Sequence, residues 1–224
     1  MPDVATIGIS APLGYNANMV YGHASVDALL KSVDEFFMGE GPVHKTMRTL
    51  ARRFPEAGVD YAIVGAMALV MHGYRRETVD VDVLMSREGR DLFVENLVGR
   101  GYVPLFPGAK KQFRDTETGV EIDIITEGEY PGDGKPKPVS FPPPIDAAIE
   151  MDGIRIITLE KLVELKLASG MSAPHRLRDL ADVQELIKVR GLGADFAESL
   201  DNSVRTKYLE LWDSVNNVNS ASEE

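Results

Sequence analysis

The sequence predicts an α/β (α+β) protein, a small mixed sheet with flanking helices and a helical C-terminal part. Residues 61–65 and 78–85 are short apolar runs that each lie next to a segment with helical spacing, and both are predicted to be strands. Residues 111–126 alternate in polarity on both sides of a Thr-Gly pair, which predicts a hairpin. Helical patterns dominate from residue 158 onward. Strands mixed with helices in this order are typical of a sheet that packs against helices.

Helix ends are predicted from capping residues. Ser86 and Thr158 stand where an N-cap is expected, and Gly73 and Gly191 stand just past a helical pattern. The Pro- and Gly-rich segment 128–144 predicts a long loop. The predicted helices are residues 24–37, 44–54, 66–73, 86–101, 158–170, 175–191 and 194–215.

The chain of 224 residues is predicted to have four parts. Residues 1–43 form an N-terminal arm and helix, and residues 44–150 form the core around the sheet. Residues 151–216 are a C-terminal part that is mainly helical. Residues 217–224, which are polar and lack aromatic side chains, are predicted to be a disordered tail.

Composition excludes several classes of protein. A formal net charge of -11 argues against indiscriminate binding to nucleic acid, because no global positive field attracts phosphates. The absence of cysteine excludes a disulfide framework and a cysteine-based metal site. No segment approaches the roughly 20 apolar residues that span a bilayer, and the N-terminus lacks the basic start of a secretory signal. We therefore expect a cytoplasmic protein without membrane contact.

Two aspartates on one strand are the first chemical signal. Asp80 and Asp82 lie two residues apart in the apolar run TVDVDVLM, so their side chains share a face. Carboxylates held this close repel each other unless a proton or a cation lies between them. The pattern indicates either a solvated strand face or a site for a cation.

A third carboxylate is predicted on the hairpin strand that includes Asp123, with Glu121 on the same face. If this strand pairs with the strand of Asp80 and Asp82, the three aspartates form an oxygen-rich site of the kind that Mg²⁺ prefers, and two ions are possible. An exposed hairpin edge is the alternative explanation for Asp123.

Phosphate-binding groups are predicted on both sides of this site. Gly65 and Ala66 lie where a strand meets a helix, so their backbone N–H groups could bind phosphate. Gly65 could instead permit close packing of strand and helix. Arg75 and Arg76, between the turn and the aspartates, could clamp phosphates or could lie in an exposed loop.

The run VGAMALVMHGYRRETVDVDVLM resembles the signature of the DNA polymerase beta-type nucleotidyltransferase superfamily. That signature is Gly with Gly or Ser at the start of a helix, then Asp-x-Asp on a strand, then a third carboxylate on a later strand. The chain departs from the signature in having Ala where the superfamily has Gly or Ser. The matching residues are Gly65 and Ala66, then Asp80 and Asp82, then Asp123.

Within this superfamily, residues 44–190 look most like the minimal bacterial group that includes AbiEii-type toxins of toxin–antitoxin pairs. That group has an essential lysine on one helix, followed by a helix rich in Arg and Asp. The segments ITLEKLVELKLAS and HRLRDLADVQELI are similar, which maps Lys166 and either Asp179 or Asp182 onto supporting roles. The alternatives are a lysine that extends along apolar surface and ion pairs within one helix.

The resemblance implies a Mg²⁺-dependent nucleotidyltransferase that transfers NMP from an NTP to an acceptor hydroxyl or phosphate. A toxin would act on tRNA and would have an antitoxin protein as partner. Ala66 leaves open a degenerate member that binds a nucleotide or a protein without catalysis. An antibiotic-type small molecule is another possible acceptor. A local basic surface for an RNA acceptor is offered by Lys110, Lys111, Arg114, Lys135 and Lys137, and these residues could equally serve only to solubilise an acidic protein.

Overall fold

The structure is a computed structural model that describes residues 26–220, so most of the predicted N-terminal arm and residues 221–224 lie outside the described residues. Among the described helices, none has the length and apolar content needed to cross a membrane. The helices are α1 (Val26–Phe37), α2 (Pro42–Glu56), α3 (Gly65–Met71), α4 (Arg87–Leu97), α5 (Pro144–Ala147), α6 (Leu159–Ser172), α7 (Leu177–Arg190) and α8 (Asn202–Ser220). The strands are β1 (Tyr61–Ile63), β2 (Asp80–Met85), β3 (Tyr102–Pro104), β4 (Gln112–Asp115), β5 (Glu121–Thr126), β6 (Ala148–Met151) and β7 (Ile154–Ile157).

The predicted α/β fold with a mixed sheet is confirmed. The seven strands are ordered β3-β4-β5-β2-β1-β7-β6. Strand β2 lies between β5, which runs parallel to it, and β1, which runs antiparallel. The register of β2 and β5 sets Asp82 directly opposite Asp123 and Asp80 opposite Glu121. The sheet therefore brings the predicted third carboxylate beside the first two.

Strand β2 has two different faces. Val81 and Val83 belong to the apolar core that α2 and α4 cover. Leu84 belongs to a second core, formed with α6, α7 and α8 on the opposite face of the sheet. Alternation along a strand puts Asp80 and Asp82 on the Leu84 side. The C-terminal helices thus cover one end of this face, and the aspartates occupy its other end.

Most predicted helix ends are confirmed. The hydroxyl of Ser86 accepts a hydrogen bond of 2.9 Å from the backbone N–H of Gly89, and the hydroxyl of Thr158 accepts one from that of Lys161. Gly191 ends α7 in the left-handed conformation that glycine adopts at little cost. Local capping chemistry therefore fixes these boundaries.

Several elements differ from the prediction. Strands β3 and β6 were not predicted, because three or four residues at a sheet edge show too little periodicity. The predicted helix 194–215 is a 3₁₀ turn followed by α8, because the side chain of Asp201 accepts a hydrogen bond from the backbone N–H of Ser203 and starts a new helix. Helix α8 continues to Ser220, inside the segment predicted as a disordered tail. The predicted division at residues 150 and 151 falls within the hairpin of β6 and β7.

Candidate active site

A cleft of about 840 Å³ opens at the uncovered end of the acidic sheet face. This volume is within the range of roughly 300–1,000 Å³ that is usual for small-molecule sites. Its walls come from the start of α3, the segment before β2, strand β5, the loop 127–143, and helices α6 and α7. The residues that line the cleft include Gly65, Ala66, Arg76, Glu77, Thr78, Asp80, Asp82, Asp123, Gly132, Lys166, Ser169, Arg176, Arg178 and Asp179.

The three predicted aspartates form one row on the floor of this cleft. Asp82 and Asp123 lie side by side on parallel strands, and Asp80 follows two residues earlier on the same face of β2. Burial, together with the negative charges of Asp80 and Asp123, raises the pKa of Asp82 to about 7. The row therefore concentrates negative charge that the fold itself does not neutralise.

Neighbouring side chains orient two members of the row. The Thr78 hydroxyl donates a hydrogen bond to one carboxylate oxygen of Asp80. Burial raises the pKa of Asp123, a hydrogen bond from Gln112 opposes that rise, and the charges of Asp80 and Glu121 add to it. Sequence reasoning did not identify Thr78, although its position two residues before Asp80 places it on the same face.

Glu121 is not a member of the row. Its carboxylate accepts a hydrogen bond of 3.1 Å from Arg114 at an exposed edge of the sheet. Glu121 is the first residue of β5 and does not line the cleft, although it is in register with Asp80.

Gly65 has no room for a side chain. Its backbone φ is +61°, and a Cβ atom built there would lie 1.8 Å from Oδ2 of Asp82. The close packing predicted for Gly65 is therefore against Asp82, one of the candidate metal ligands. The neighbouring Ala66 is buried and lines the cleft. Only its methyl group and backbone N–H stand where the superfamily often has a serine hydroxyl.

Lys166 is held in a buried network. Its Nζ atom lies 2.8 Å from Oδ1 of Asp179 and 2.7 Å from Oδ2 of Asp182. The same Oδ2 accepts a hydrogen bond of 2.5 Å from Arg76, and the Ser169 hydroxyl donates to Asp179 at 2.6 Å. Two cations and two carboxylates thus neutralise one another. The alternative of a lysine head group in solvent is wrong, since Lys166 is only 7% exposed.

The network lowers the pKa of Asp179. Burial alone would raise the pKa of Asp179, but Lys166, the Ser169 hydroxyl and Arg176 together hold it below the ordinary value. Both Lys166 and Arg76 also act on Asp82, where their positive charges partly offset the rise in its pKa. The network is therefore close enough to influence the row of aspartates.

Arg75 and Arg76, which were both predicted to clamp phosphates, line different cavities. Arg76 lines the cleft and pairs with Asp182. Arg75 instead lines a smaller cavity beside Phe37 and His44, so, contrary to the prediction, it does not contribute to this cleft. The physical reason is that successive side chains of an extended segment point to opposite sides.

Arg176 and Arg178 do not form the expected ion pairs within α7, because Asp179 and Asp182 pair with Lys166 and Arg76 instead. Both arginines are exposed and line the cleft. Within the part of the chain that the structure describes, neither side chain has an ion-pair or hydrogen-bond partner.

The Pro-rich loop is an ordered wall of the cleft. Lys137 donates hydrogen bonds to the carbonyl of Pro131, to Asp133 and, at 2.9 Å, to the hydroxyl of Ser172 on α6. A Cβ atom at Gly132 would lie 2.3 Å from that hydroxyl oxygen, so loop and helix are in close contact. Sequence reasoning predicted only a loop with a basic surface.

The predicted basic surface is largely paired with acids. Lys111 pairs with Glu129, and Lys137 pairs with Asp133. Together with the pair of Arg114 and Glu121, three of the five predicted cations have acidic partners. The acidic composition of the chain is therefore visible locally as well as globally.

The row of aspartates fits Mg²⁺ as part of a shared coordination shell. In the described part of the chain, no three or more His, Cys, Asp or Glu side chains form a ready-made metal cage. Mg²⁺ usually takes one or two carboxylates and completes its shell with water and substrate phosphates. The chemistry of the donor set and the mutual repulsion of Asp80, Asp82 and Asp123 match that requirement.

No known protein family matches the sequence, and no curated protein is significantly similar to it. Solved structures are similar at low identity. An antigenic nucleotidyltransferase-like protein from Paracoccidioides brasiliensis is 13% identical, with 64% of this chain and 74% of that one covered and a TM-score of 0.42. JHP933 from Helicobacter pylori is 16% identical, with 80% and 92% covered and a TM-score of 0.40.

A third solved structure is that of ANT(2")-Ia in complex with adenylyl-2"-tobramycin. It is 13% identical, with 74% of this chain and 98% of that one covered and a TM-score of 0.46. These values are too low to transfer a function, so the side chains of the cleft carry the functional argument below.

Proposed function

We propose that this protein is a Mg²⁺-dependent nucleotidyltransferase that transfers NMP from an NTP to an acceptor hydroxyl or phosphate. The observation that supports the proposal is the row of Asp80, Asp82 and Asp123 on the floor of an open cleft. Perturbed and unneutralised carboxylates in a cleft are a common property of functional sites.

The order of the elements supports a proposal for the two sides of the reaction. Gly65 and Ala66 follow β1, and Asp123 lies on β5, with Asp80 and Asp82 on β2 between them. We assign the nucleotide phosphates to the β1 side and the acceptor to the β5 side. The glycine at position 65 lets the Asp82 carboxylate lie directly against the backbone at the start of α3, where the phosphates would bind.

In the proposed step, the acceptor oxygen forms a bond to the α-phosphorus, a hydroxyl acceptor releases its proton to water, the bond from that phosphorus to the bridging oxygen breaks, and pyrophosphate leaves. Bound Mg²⁺ would neutralise phosphate charge and polarise the phosphoryl group. Asp80 and Asp82 would hold the ion beside the nucleotide, and Asp123 would hold a second ion beside the acceptor. The buried network supports this arrangement by fixing Lys166 near Asp82.

The first experiment is calorimetric titration of the four NTPs with and without Mg²⁺. The test variant is Asp80→Asn/Asp82→Asn, and Asp213→Asn, an exposed aspartate on α8, is the control. We expect metal-dependent binding by the natural protein and by the control, and loss of that binding in the double variant. Failure of the natural protein to bind any NTP would overturn the proposal.

The acceptor is tested with NTP labelled at the α-phosphate. Total tRNA represents the toxin proposal, in which an antitoxin protein would be the partner, and aminoglycosides represent small-molecule acceptors. The pairing of Lys111, Arg114 and Lys137 with acids favours a small cationic acceptor over RNA as the second candidate. Nucleotide binding without label transfer to any acceptor would support a degenerate member, for which Ala66 is the motivating residue.

A further inference from the structure

The cleft contains four basic side chains that fall into two classes. Lys166 and Arg76 are committed to Asp179 and Asp182 at distances of 2.5 to 2.8 Å. Arg176 and Arg178 line the same cleft and are exposed. They have no ion-pair or hydrogen-bond partner among residues 26–220. Only the second class can give its full hydrogen-bonding capacity to a ligand.

The position of the second class is fixed by α6 and α7. Arg178 directly precedes Asp179, and Arg176 precedes it by three residues. Asp179 is anchored by Lys166 at 2.8 Å and by the Ser169 hydroxyl at 2.6 Å. The backbone that presents both arginines is therefore tied to a buried network, although their head groups are in solvent.

The two arginines flank this network in the sequence, next to Asp179. Lys166 acts electrostatically on Asp82 and lies 2.8 Å from Asp179, which Arg176 and Arg178 precede by three residues and by one. A ligand that reaches both Asp82 and Arg176 must be extended and anionic at the Arg176 end. A single phosphate beside the aspartates would leave both arginines without a partner.

We propose that Arg176 and Arg178 bind the terminal phosphates of the nucleotide and make the site selective for triphosphates over monophosphates. The inference rests on the proposed function and names the part of the substrate that these residues recognise. Guanidinium groups suit this role because their N–H donors match phosphate oxygens in pairs. Arg75 and Arg76, the clamp predicted from sequence, are unavailable for it by position and by pairing.

The experiment compares three proteins and four probes in the presence of Mg²⁺. The proteins are the natural chain, Arg176→Gln/Arg178→Gln, and the matched control Arg190→Gln. Arg190 is an exposed arginine at the opposite end of α7, where it does not line the cleft. The probes are ATP, ADP, AMP and inorganic tripolyphosphate, each titrated by calorimetry. All the substituted side chains are exposed, so folding is expected to be retained and is checked by thermal unfolding.

We expect the double variant to lose roughly 10- to 100-fold in affinity for ATP and tripolyphosphate, since charge-assisted hydrogen bonds to phosphate are lost. Its affinity for AMP should stay within about twofold of the natural value, because the monophosphate does not reach the arginines. The control should bind all four probes like the natural protein.

The outcomes separate this inference from the proposed function. Equal losses for ATP and AMP, or unchanged ATP binding by the double variant, would overturn the arginine assignment and leave the nucleotidyltransferase proposal intact. Tripolyphosphate binding that depends on the arginines, without binding of any NTP, would support the assignment and refute the proposed function. Failure of the natural protein to bind tripolyphosphate or any of the four NTPs would overturn both.

Discussion

The cleft contains two groups of carboxylates with opposite surroundings. Asp179 and Asp182 are paired with Lys166 and Arg76 at distances below 3 Å. The row of Asp80, Asp82 and Asp123 has only hydrogen bonds from neutral side chains, and the ion pairs within the described part of the chain do not include these residues. One group is internally neutral, and the other has no ion-pair partner, with the charge of Asp82 only partly offset by Lys166 and Arg76.

This difference indicates which carboxylates stabilise the fold and which are arranged for a bound cation. Burying a charge without a partner costs stability, and a fold that needed only packing would place apolar side chains on β2 at these positions. Leu84, on the same face of the same strand, shows that β2 does so where α6 covers it. The paired group joins the helices to the loop before β2, whereas the unpaired group is arranged for a cation that comes with a ligand.

Removing the cation of the paired group should have the largest effect on stability. Lys166→Met leaves Asp179 without its main partner and leaves Asp182 with Arg76 alone. We expect the free energy of unfolding to fall by about 3–5 kcal/mol, the usual cost of breaking a buried pair by removing one partner. Chemical denaturation provides the measurement. Lys188→Met, which removes an exposed pair with Glu185 on α7, is the control and should cost at most about 1 kcal/mol.

A result for Lys166→Met as small as that for Lys188→Met would contradict the view that the network is structural. Adding Asp179→Asn to Lys166→Met sharpens the test, because it removes the uncompensated charge. Partial recovery of stability in the double variant is then expected.

The close approach of Gly65 to Asp82 gives the second prediction. Gly65→Ala must displace Asp82, because the new Cβ atom would lie 1.8 Å from Oδ2. Gly119→Ala is a matched control, since Gly119 also has a positive φ but has open space around its Cβ position. We expect the control to lose about 1–2 kcal/mol from backbone strain alone, and Gly65→Ala to lose more.

Denaturation and NTP titration of both glycine variants separate the two effects. Mg²⁺-dependent nucleotide binding should be lost only in Gly65→Ala, because only this variant moves a member of the row of aspartates. Equal stability and equal nucleotide binding in the two variants would show that the contact between Gly65 and Asp82 has no special role.

The raised pKa of Asp82 gives a prediction with a defined sign. A carboxyl group whose pKa is higher in the folded than in the unfolded protein destabilises the fold once it ionises. For Asp82 this cost begins near the ordinary pKa of about 4, grows toward pH 7 and is constant above it. Asp82→Asn should therefore be more stable than the natural protein, by a margin that widens by up to about 1.4 kcal/mol per pH unit.

Thermal unfolding in EDTA between about pH 5 and pH 8 measures this margin. Added Mg²⁺ should narrow it at neutral pH, because the cation stabilises the ionised row in the natural protein. Asp213→Asn, which substitutes an exposed aspartate outside the cleft, is measured in parallel as the control. A margin that is constant with pH would mean that the charge of Asp82 is already compensated within the fold.

The sequence predicted the unpaired group better than the paired one. Asp80, Asp82, Asp123 and Gly65 stand in short-range patterns, where strand alternation and a strand-to-helix junction determine which side chains meet. The pairing of Asp182 with Arg76 joins residues 106 positions apart. No local pattern encodes that contact, so an exposed lysine and ion pairs within α7 were equally consistent with the sequence.

The same limit explains the remaining differences. Arg75 and Arg76 are indistinguishable in sequence, and only the path of the extended segment sends one into the cleft. Lys137 was predicted to be part of a basic surface because its partners, Pro131 and Ser172, are recognisable only after the loop has folded onto α6. The partners of each basic side chain thus depend on tertiary contacts.

Lys137 allows a last and smaller test of the comparison, because it is a paired cation nearer to solvent. Its side chain is 14% exposed and that of Asp133 is 28% exposed, so solvent screens this pair more than it screens the buried network. We expect Lys137→Met to lower the free energy of unfolding by about 1 kcal/mol and to make the loop 127–143 more accessible to limited proteolysis. Lys135→Met, an exposed neighbour in the same loop, is the control. A loss of stability as large as that of Lys166→Met would show that burial does not determine how strongly an ion pair stabilises the protein at this cleft. Faster cleavage of the loop with a small loss of stability would show that Lys137 acts locally, on the wall of the site.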